Sequence, residues 1–156
     1  GKNFSNISLL PNKTIIAGSA STDKKVAEFA SENDIGSLEF LSCIPGSVGG
    51  GVRMNSGCFG SEFKDVLVSV QTISKSGKVI TIPSTSIKFD YRKNDLPRDL
   101  IFLSASFKGK FKRKDIVKKE MEILKKKRMK RSQHKSKQGE ALLKIQLSKQ
   151  IQKYGN

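Results

Sequence analysis

Few residues in this chain could do chemistry, and they cluster. Six of the thirteen glycines fall between Leu38 and Ser61, in the stretch LEFLSCIPGSVGGGVRMNSGCFGS, with Pro45, one of only four prolines. Pro45 fixes φ and removes a donor, while Gly46, Gly49, Gly50 and Gly51 leave bare backbone. Bare N–H groups admit the close approach of a phosphate or a flavin ring. The same spacing also describes a helix crossing or a glycine-rich turn, and spacing alone leaves both readings open. The other candidates are Asn55, Glu62, Tyr91 and Arg92. Arg92 is permanently charged and can hold or polarise an anion; next to Asp90 it also reads as an ordinary surface arginine. The single histidine, His134, sits in a polar tail between Gln133 and Lys135, a poor place for a His-dependent triad. The carboxylates make no persuasive acid–base pair, and neither a P-loop nor a dinucleotide fingerprint is present. Cys43 and Cys58 make no metal set and no disulfide framework; they read as reduced thiols.

The elements that would position these residues belong to one ordinary domain, the size that 156 residues allows. Charge is uneven. Residues 1–109 hold 13 Lys and Arg against 10 Asp and Glu, whereas residues 110–156 hold 17 against 4. So basic a C-terminal third raises the alternative of a nucleic-acid-binding module using residues 110–156. That segment has only Phe111 and Tyr154 for base stacking. No apolar run approaches membrane-spanning length and no signal-peptide pattern opens the chain. Residues 14–20 predict a strand, followed by an N-cap at 21–23 and a helix to about residue 33 presenting Val26, Ala27, Phe29 and Ala30. Beyond the glycine-rich stretch, residues 66–73 alternate as a strand, with Val66, Val68, Val70 and Thr72 on one side. A turn at 75–78 returns the chain along 79–82. Residues 84–87 predict a single helical turn, and 100–107 an interior strand. Residues 113–131 form the clearest helix, with Ile116, Val117, Glu120, Ile123 and Leu124 at helical spacing and lysines on the remaining faces.

Three segments taken together resemble the MurB family, the UDP-N-acetylenolpyruvoylglucosamine reductases. They are IPGSVGGGVRMNSGCFGSE followed by KDVLVSV, FDYRKNDLP followed by LIFLSASF, and the basic helix ending KKKRMKRSQ. The resemblance implies an α+β fold: the second lobe of an oxidase-type FAD-binding domain, a small mixed or antiparallel sheet with packed helices, a basic C-terminal helix and a disordered tail. It implies FAD as cofactor, NADPH as hydride donor and a UDP-sugar substrate, in a cytoplasmic, monomeric enzyme of peptidoglycan synthesis without nucleic-acid or membrane partners. Carried over by position, Ile44, Pro45, Gly46, Ser47, Gly49 and Gly50 lie along the flavin and its pyrophosphate, and Asn55 and Gly57 end that segment. Arg92 takes the catalytic role, stabilising charge that builds on the substrate. Tyr91, Arg128 and Gln133 fall at substrate-binding positions. No metal is implied.

The same resemblance marks departures. The family's first FAD lobe, ending Gly-Ser-Asn, has no counterpart after Gly1. The downstream Gly-Gly-Ser-Thr-Phe-Lys-Asn-Pro segment, which carries the proton-donating serine, is missing, as is a later glutamate. One permitted coding of residues 137–146, read from its third base, spells Thr-Gly-Gly-Ser-Thr-Phe-Lys-Asn-Pro. The expected organisation is therefore a partial FAD-binding domain over 1–109, a basic helix over 110–134 and a frameshifted tail over 135–156, together a truncated and inactive remnant.

Overall fold

The computed structural model describes residues 2–154. Strand β1 (Ile7–Leu9) leads through a turn into β2 (Ile15–Gly18). The Asn12 carboxamide accepts the Thr14 N–H at 3.1 Å, the short-range bond that makes asparagine a turn residue. Helix α1 (Asp23–Glu32) starts at Thr22, whose hydroxyl accepts the Lys25 N–H at 3.2 Å. Val26, Ala27 and Ala30 share one face of it and are buried. A 3-10 turn (Glu39–Cys43) and helix α2 (Val48–Met54) follow. Next come a hairpin of β3 (Gly57–Cys58) and β4 (Ser61–Glu62), a short helix α3 (Phe63–Val66), and β5 (Leu67–Ile73) with β6 (Val79–Pro83). A single 3-10 turn (Ser84–Ser86) precedes a second hairpin, β7 (Phe89–Asp90) and β8 (Lys93–Asn94). Strand β9 (Ile101–Phe107) and helix α4 (Lys114–Tyr154) complete the order.

The five long strands form one sheet in the order β1-β2-β9-β5-β6, and every pairing in it is antiparallel. The interior strand expected at 100–107 is β9, at the centre. Ile15 and Leu67 both lie opposite Phe107, and Ala17 and Val70 both lie opposite Ala105; these are buried and form the sheet's contribution to the core. Strand β5 departs from the alternation expected of it. A register shift between Leu67 and Ser69 puts Leu67, Val70 and Thr72 inside and leaves Val68 40% exposed. The extra residue of a bulge inverts the faces on either side of it, so Val68 does not share a face with Val70, while Val66, at the end of α3, is buried in the same core cluster as Val70.

Two compact units divide the chain, residues 1–124 and 125–156. The start of α4 belongs to the first. Its Lys114 N–H is capped by Asp34 Oδ1 at 2.8 Å, Val117 is buried and Met121 packs against the core cluster. Lys112 bridges Glu39 at 3.1 Å and Glu120 at 2.9 Å; those two partners raise its pKa above the ordinary lysine range. Where a helix ending near 131 and a disordered tail were expected, α4 continues through Tyr154. No proline occurs beyond Pro97, and residues 140–147 (EALLKIQL) are mostly strong helix formers. Polarity alone is no helix breaker.

Candidate functional site

The glycine-rich stretch is clamped to the end of β2 and the start of α1. Thr22 and Ser47 form an antiparallel bridge, closed by Asp23 N–H to Gly46 O at 3.0 Å and Val48 N–H to Ser21 O at 2.9 Å. That wide pairing turns the Ser47 N–H away from the α1 side. Gly49 N–H donates to Ser19 O at 2.9 Å, and Ser47 Oγ caps α2 by accepting the Gly50 N–H at 3.4 Å. The first amides of α2 are therefore largely committed to the protein itself. The surface that could meet a ligand narrows to the outward backbone of Gly46, Ser47 and Gly50.

The glycines divide by what a Cβ would meet. At Gly51 it would lie 2.1 Å from Phe63 Cζ, at Gly49 3.3 Å from Ser19, and at Gly57 2.6 Å from Ser61 O. These three serve the protein's own packing, so Gly57 has a structural reason to be glycine within the β3–β4 hairpin. At Gly46 the nearest atom would be Asp23 Oδ2 at 3.7 Å, and at Gly50 it would be Ser47 Oγ at 3.5 Å. Neither has positive φ, and both are exposed. The fold has room for a side chain at each, and glycine keeps that room free for close backbone approach. An FAD pyrophosphate or ring fits such a surface. Ile44 and Pro45 flank it, half-buried and exposed respectively.

Tyr91 and Arg92 form the two-residue loop between β7 and β8. Arg92 has φ of 54°, a left-handed conformation that costs a non-glycine residue about 1–2 kcal/mol. Its Nε donates to Tyr91 Oη at 3.1 Å and its guanidinium lies 5.4 Å from the centre of the Tyr91 ring. Tyr91 is 74% exposed. The Tyr91 N–H donates to Asp90 Oδ1 at 2.7 Å; this bond, with Lys93, holds the Asp90 carboxyl below the usual carboxylate range. A permanently charged, outward-facing group on a constrained turn can polarise or hold an anionic substrate.

Asn55 and Glu62 are both bonded within the fold. Asn55 is buried and terminates α2 at φ of 41°. Its Oδ1 accepts the Lys64 N–H at 3.0 Å and its Nδ2 donates to Asp90 O at 3.3 Å. Glu62 and Asp65 make a reciprocal capping box on α3. Two residues absent from the sequence candidates also meet this region. Asn94 Nδ2 donates to Val52 O at 2.7 Å and Arg53 O at 3.3 Å. The Arg53 guanidinium donates to the Leu96, Pro97 and Leu100 carbonyls, each at 3.2 Å, and lies 4.5 Å from the Phe102 ring centre. More than forty residues separate most of these partners, so no local pattern marks them. Arg128 and Gln133 belong to the second unit, five positions apart on α4, about 140° round the helix axis and so on different faces.

A groove of about 510 Å³ also opens in the first unit, lined by Glu39, Phe40, Cys58, Phe59, Asp65 and Glu120 among others. None of the glycine or Tyr91–Arg92 residues lines it. The candidate flavin surface is an open wall. Beneath it lies Asp23, 0% exposed. Among the described residues neither of its carboxylate oxygens, nor the Ser21 hydroxyl, has a hydrogen-bond partner. Burial without a donor pushes its carboxyl up to about 7.

Residues 2–83 match the family described as FAD binding domain. A UDP-N-acetylenolpyruvoylglucosamine reductase of Pelagibacter ubique is 62% identical over 128 residues, which is 82% of this chain and 42% of that protein. The reductase of the same name from Rickettsia massiliae is 46% identical over 108 residues, 69% of this chain and 36% of that protein. The crystal structure of UDP-N-acetylenolpyruvylglucosamine reductase (MurB) from Thermus caldophilus superposes with a TM-score of 0.68 at 27% identity, covering 73% of this chain and 42% of that one. The chain thus spans less than half the length of these relatives. The family match covers the clamped glycine segment and four of the five strands of the main sheet, and on that ground the chain belongs to the FAD binding domain family, as a stretch of the kind found within UDP-N-acetylenolpyruvoylglucosamine reductases.

Proposed function

We propose that this chain forms one wall of the FAD site in a cytoplasmic reductase that uses NADPH to convert UDP-N-acetylglucosamine enolpyruvate to UDP-N-acetylmuramate for peptidoglycan synthesis. The observation that carries the FAD assignment is the pair Gly46 and Gly50, exposed glycines at which the fold itself has room for a side chain. The names borne by relatives at 62% and 46% identity support the substrate and the reaction. FAD, when bound, supplies a centre that accepts and passes on hydride. Gly46, Ser47 and Gly50 would meet it directly, flanked by Ile44 and Pro45, while Gly49, Asn55 and Gly57 would shape the segment from within the fold. Arg92 keeps a fixed positive charge where negative charge develops on the substrate, a role that needs no proton transfer. Tyr91 is the proposed substrate contact of the first unit; Arg128 and Gln133, in the second, are proposed substrate contacts on their family positions alone. The chain acts as a monomer in this reading, with no nucleic-acid or membrane partner.

These 156 residues include no Gly-Gly-Ser segment, so by themselves they are expected to bind FAD weakly and to sustain no turnover. The purified chain is mixed with FAD, NADPH and the enolpyruvyl substrate. Quenching of flavin fluorescence that Gly50→Val abolishes, without steady NADPH consumption, is the expected result. Substrate-dependent NADPH oxidation would overturn the inactivity, and failure of FAD to bind at any concentration would overturn the wall.

Residues 135–156 are proposed to be out-of-frame sequence. Leu142, Leu143, Ile145, Leu147, Ile151 and Tyr154 are 49–73% exposed, as expected of text never selected to pack. Sequencing the codons of residues 137–146 decides it. The idea requires Thr-Gly-Gly-Ser-Thr-Phe-Lys-Asn-Pro in the shifted frame and fails with any other reading.

A further inference from the structure

The Tyr91–Arg92 turn has little packing of its own, yet both strands of its hairpin are fastened to the same end of α2. On the incoming side, Asn55 Nδ2 donates to Asp90 O at 3.3 Å. On the outgoing side, Asn94 Nδ2 donates to Val52 O at 2.7 Å and Arg53 O at 3.3 Å, two carbonyls in the last turn of the helix. Carbonyls in the last turn of a helix are short of donors; Val52 O takes one from the Asn55 N–H at 3.3 Å, and Asn94 adds another there and one at Arg53 O. The other end of α2 carries the Ser47 cap and the exposed Gly50. With 1.5 Å of rise per residue, the seven-residue helix is a strut of about 10 Å between the two features.

We propose that Asn55 is a positioning residue for Arg92, and that α2 links the seating of the glycine segment to the setting of the arginine turn. Asn55 suits this role in three respects. It adopts the left-handed conformation that ends the helix, which asparagine tolerates better than most residues. It is 1% exposed, so its amide does not compete for water. Its two side-chain atoms are used in opposite directions, Oδ1 toward Lys64 N at the start of α3 and Nδ2 toward Asp90 O. The residue therefore joins three elements at one point. The strained φ of Arg92 makes the joint necessary, since a left-handed arginine persists only where its surroundings over-determine it. The bearing on catalysis rests on the reading of Arg92 given above; the mechanical link does not.

The test uses the full chain and needs no turnover. Three variants separate the bonds. Asn55→Gly keeps the left-handed helix end and loses both side-chain bonds. Asn55→Asp keeps the acceptor for Lys64 and loses only the donor to Asp90. Asn94→Ala cuts the second strand, and serves if either change at Asn55 prevents folding. Amide hydrogen exchange is followed by NMR at Lys93, which pairs with Asp90 across the hairpin, and at Ala105 and Phe107 in the central strand. The Arg92 Nε–H signal reports its bond to Tyr91. In a Tyr154→Phe background Tyr91 is the only tyrosine and there is no tryptophan, so its fluorescence anisotropy reports the turn directly. Each variant is expected to speed exchange at Lys93 about tenfold, lower the Tyr91 anisotropy and broaden the Arg92 signal, with Ala105 and Phe107 unchanged. A merely structural role would instead speed exchange in the central strand as much as in the hairpin. That result, or a hairpin as protected as in the parent chain, would overturn the proposal. FAD titration of the parent chain is the separate arm: a loosened hairpin in a chain that binds no FAD would leave the link standing and remove the flavin reading.

Discussion

Gly51→Ala lowers the unfolding free energy by about 2–3 kcal/mol, whereas Gly50→Ala one position earlier raises it by about 0.5–1 kcal/mol. The two changes add the same methyl group to the same short helix, and both gain the helix preference of alanine over glycine. They differ in what the methyl meets. At Gly51 it would lie 2.1, 2.5 and 2.8 Å from three atoms of the Phe63 ring. The ring has nowhere to go: Phe63 is 0% exposed and packs edge-on against Phe107, 5.6 Å between centroids, itself fully buried on the central strand. Relief requires α2 to lift from the sheet, which exceeds the propensity gain. At Gly50 the nearest atom is 3.5 Å away, an ordinary contact. Urea midpoints for the two variants check the signs, with an unchanged m-value showing that the native state is comparable. Shifts of the same sign would mean that α2 does not seat on Phe63 as described. Gly50→Ala carries a second expectation, weaker FAD binding despite greater stability, because the exposed backbone it covers is the proposed flavin surface.

Stability of the chain falls as pH rises from about 4 to about 7, and Asp23→Asn removes that fall. The Asp23 carboxyl is pushed from 3.8 to about 7 by burial. The unfolded chain therefore releases this proton near pH 4 while the folded chain keeps it to about pH 7. Between those values the unfolded state binds fewer protons, so each pH unit costs up to about 1.4 kcal/mol and the window as a whole roughly 2–4 kcal/mol. Above pH 7 both states are ionised and this contribution levels off. Asp23 stands in the first turn of α1, where the helix dipole favours an anion, but neither oxygen has a donor, and desolvation wins. Denaturant midpoints at pH 5, 6, 7 and 8 measure the slope. The parent and Asp23→Asn chains should be closest at the acid end, with the variant ahead at pH 8. Parallel profiles would mean that a donor or water serves Asp23 in solution. The carboxyl also lies beneath Gly46, whose carbonyl accepts the Asp23 N–H at 3.0 Å. Its ionisation in the folded chain sets a negative charge under the proposed pyrophosphate surface, so FAD affinity should decline as pH rises through about 7.

The long elements were legible from pattern. The alanine and valine spacing of α1, its cap at Thr22 and the apolar core of β9 are local features, and the structure places them within a residue or two of expectation. The β5 bulge was not legible, because a period-2 pattern assumes an unbroken ladder and a bulge is made by the partner strand as much as by the strand itself. The end of α4 was not legible for a different reason: residues 135–154 are mostly polar, but they contain no proline and a single glycine, Gly139, and polarity does not stop a helix. At the candidate site, Arg92 stood out by its family position and its charge. Arg53 and Asn94 did not, since their partners lie some forty residues away.

Residue type and order by themselves determined which family this chain resembles, where its bare backbone is concentrated and that Arg92 carries a charge no pH change removes. In the sequence Gly46, Gly49, Gly50, Gly51 and Gly57 are equivalent. The tertiary structure decided that Gly51 meets Phe63, Gly49 meets Ser19 and Gly57 meets Ser61, while Gly46 and Gly50 face outward with room to spare. It also decided that Asn55 faces inward, to Lys64 and Asp90. The physical reason is that a missing side chain has no contacts of its own; what a glycine is for depends on which atoms the rest of the fold brings to the space it leaves.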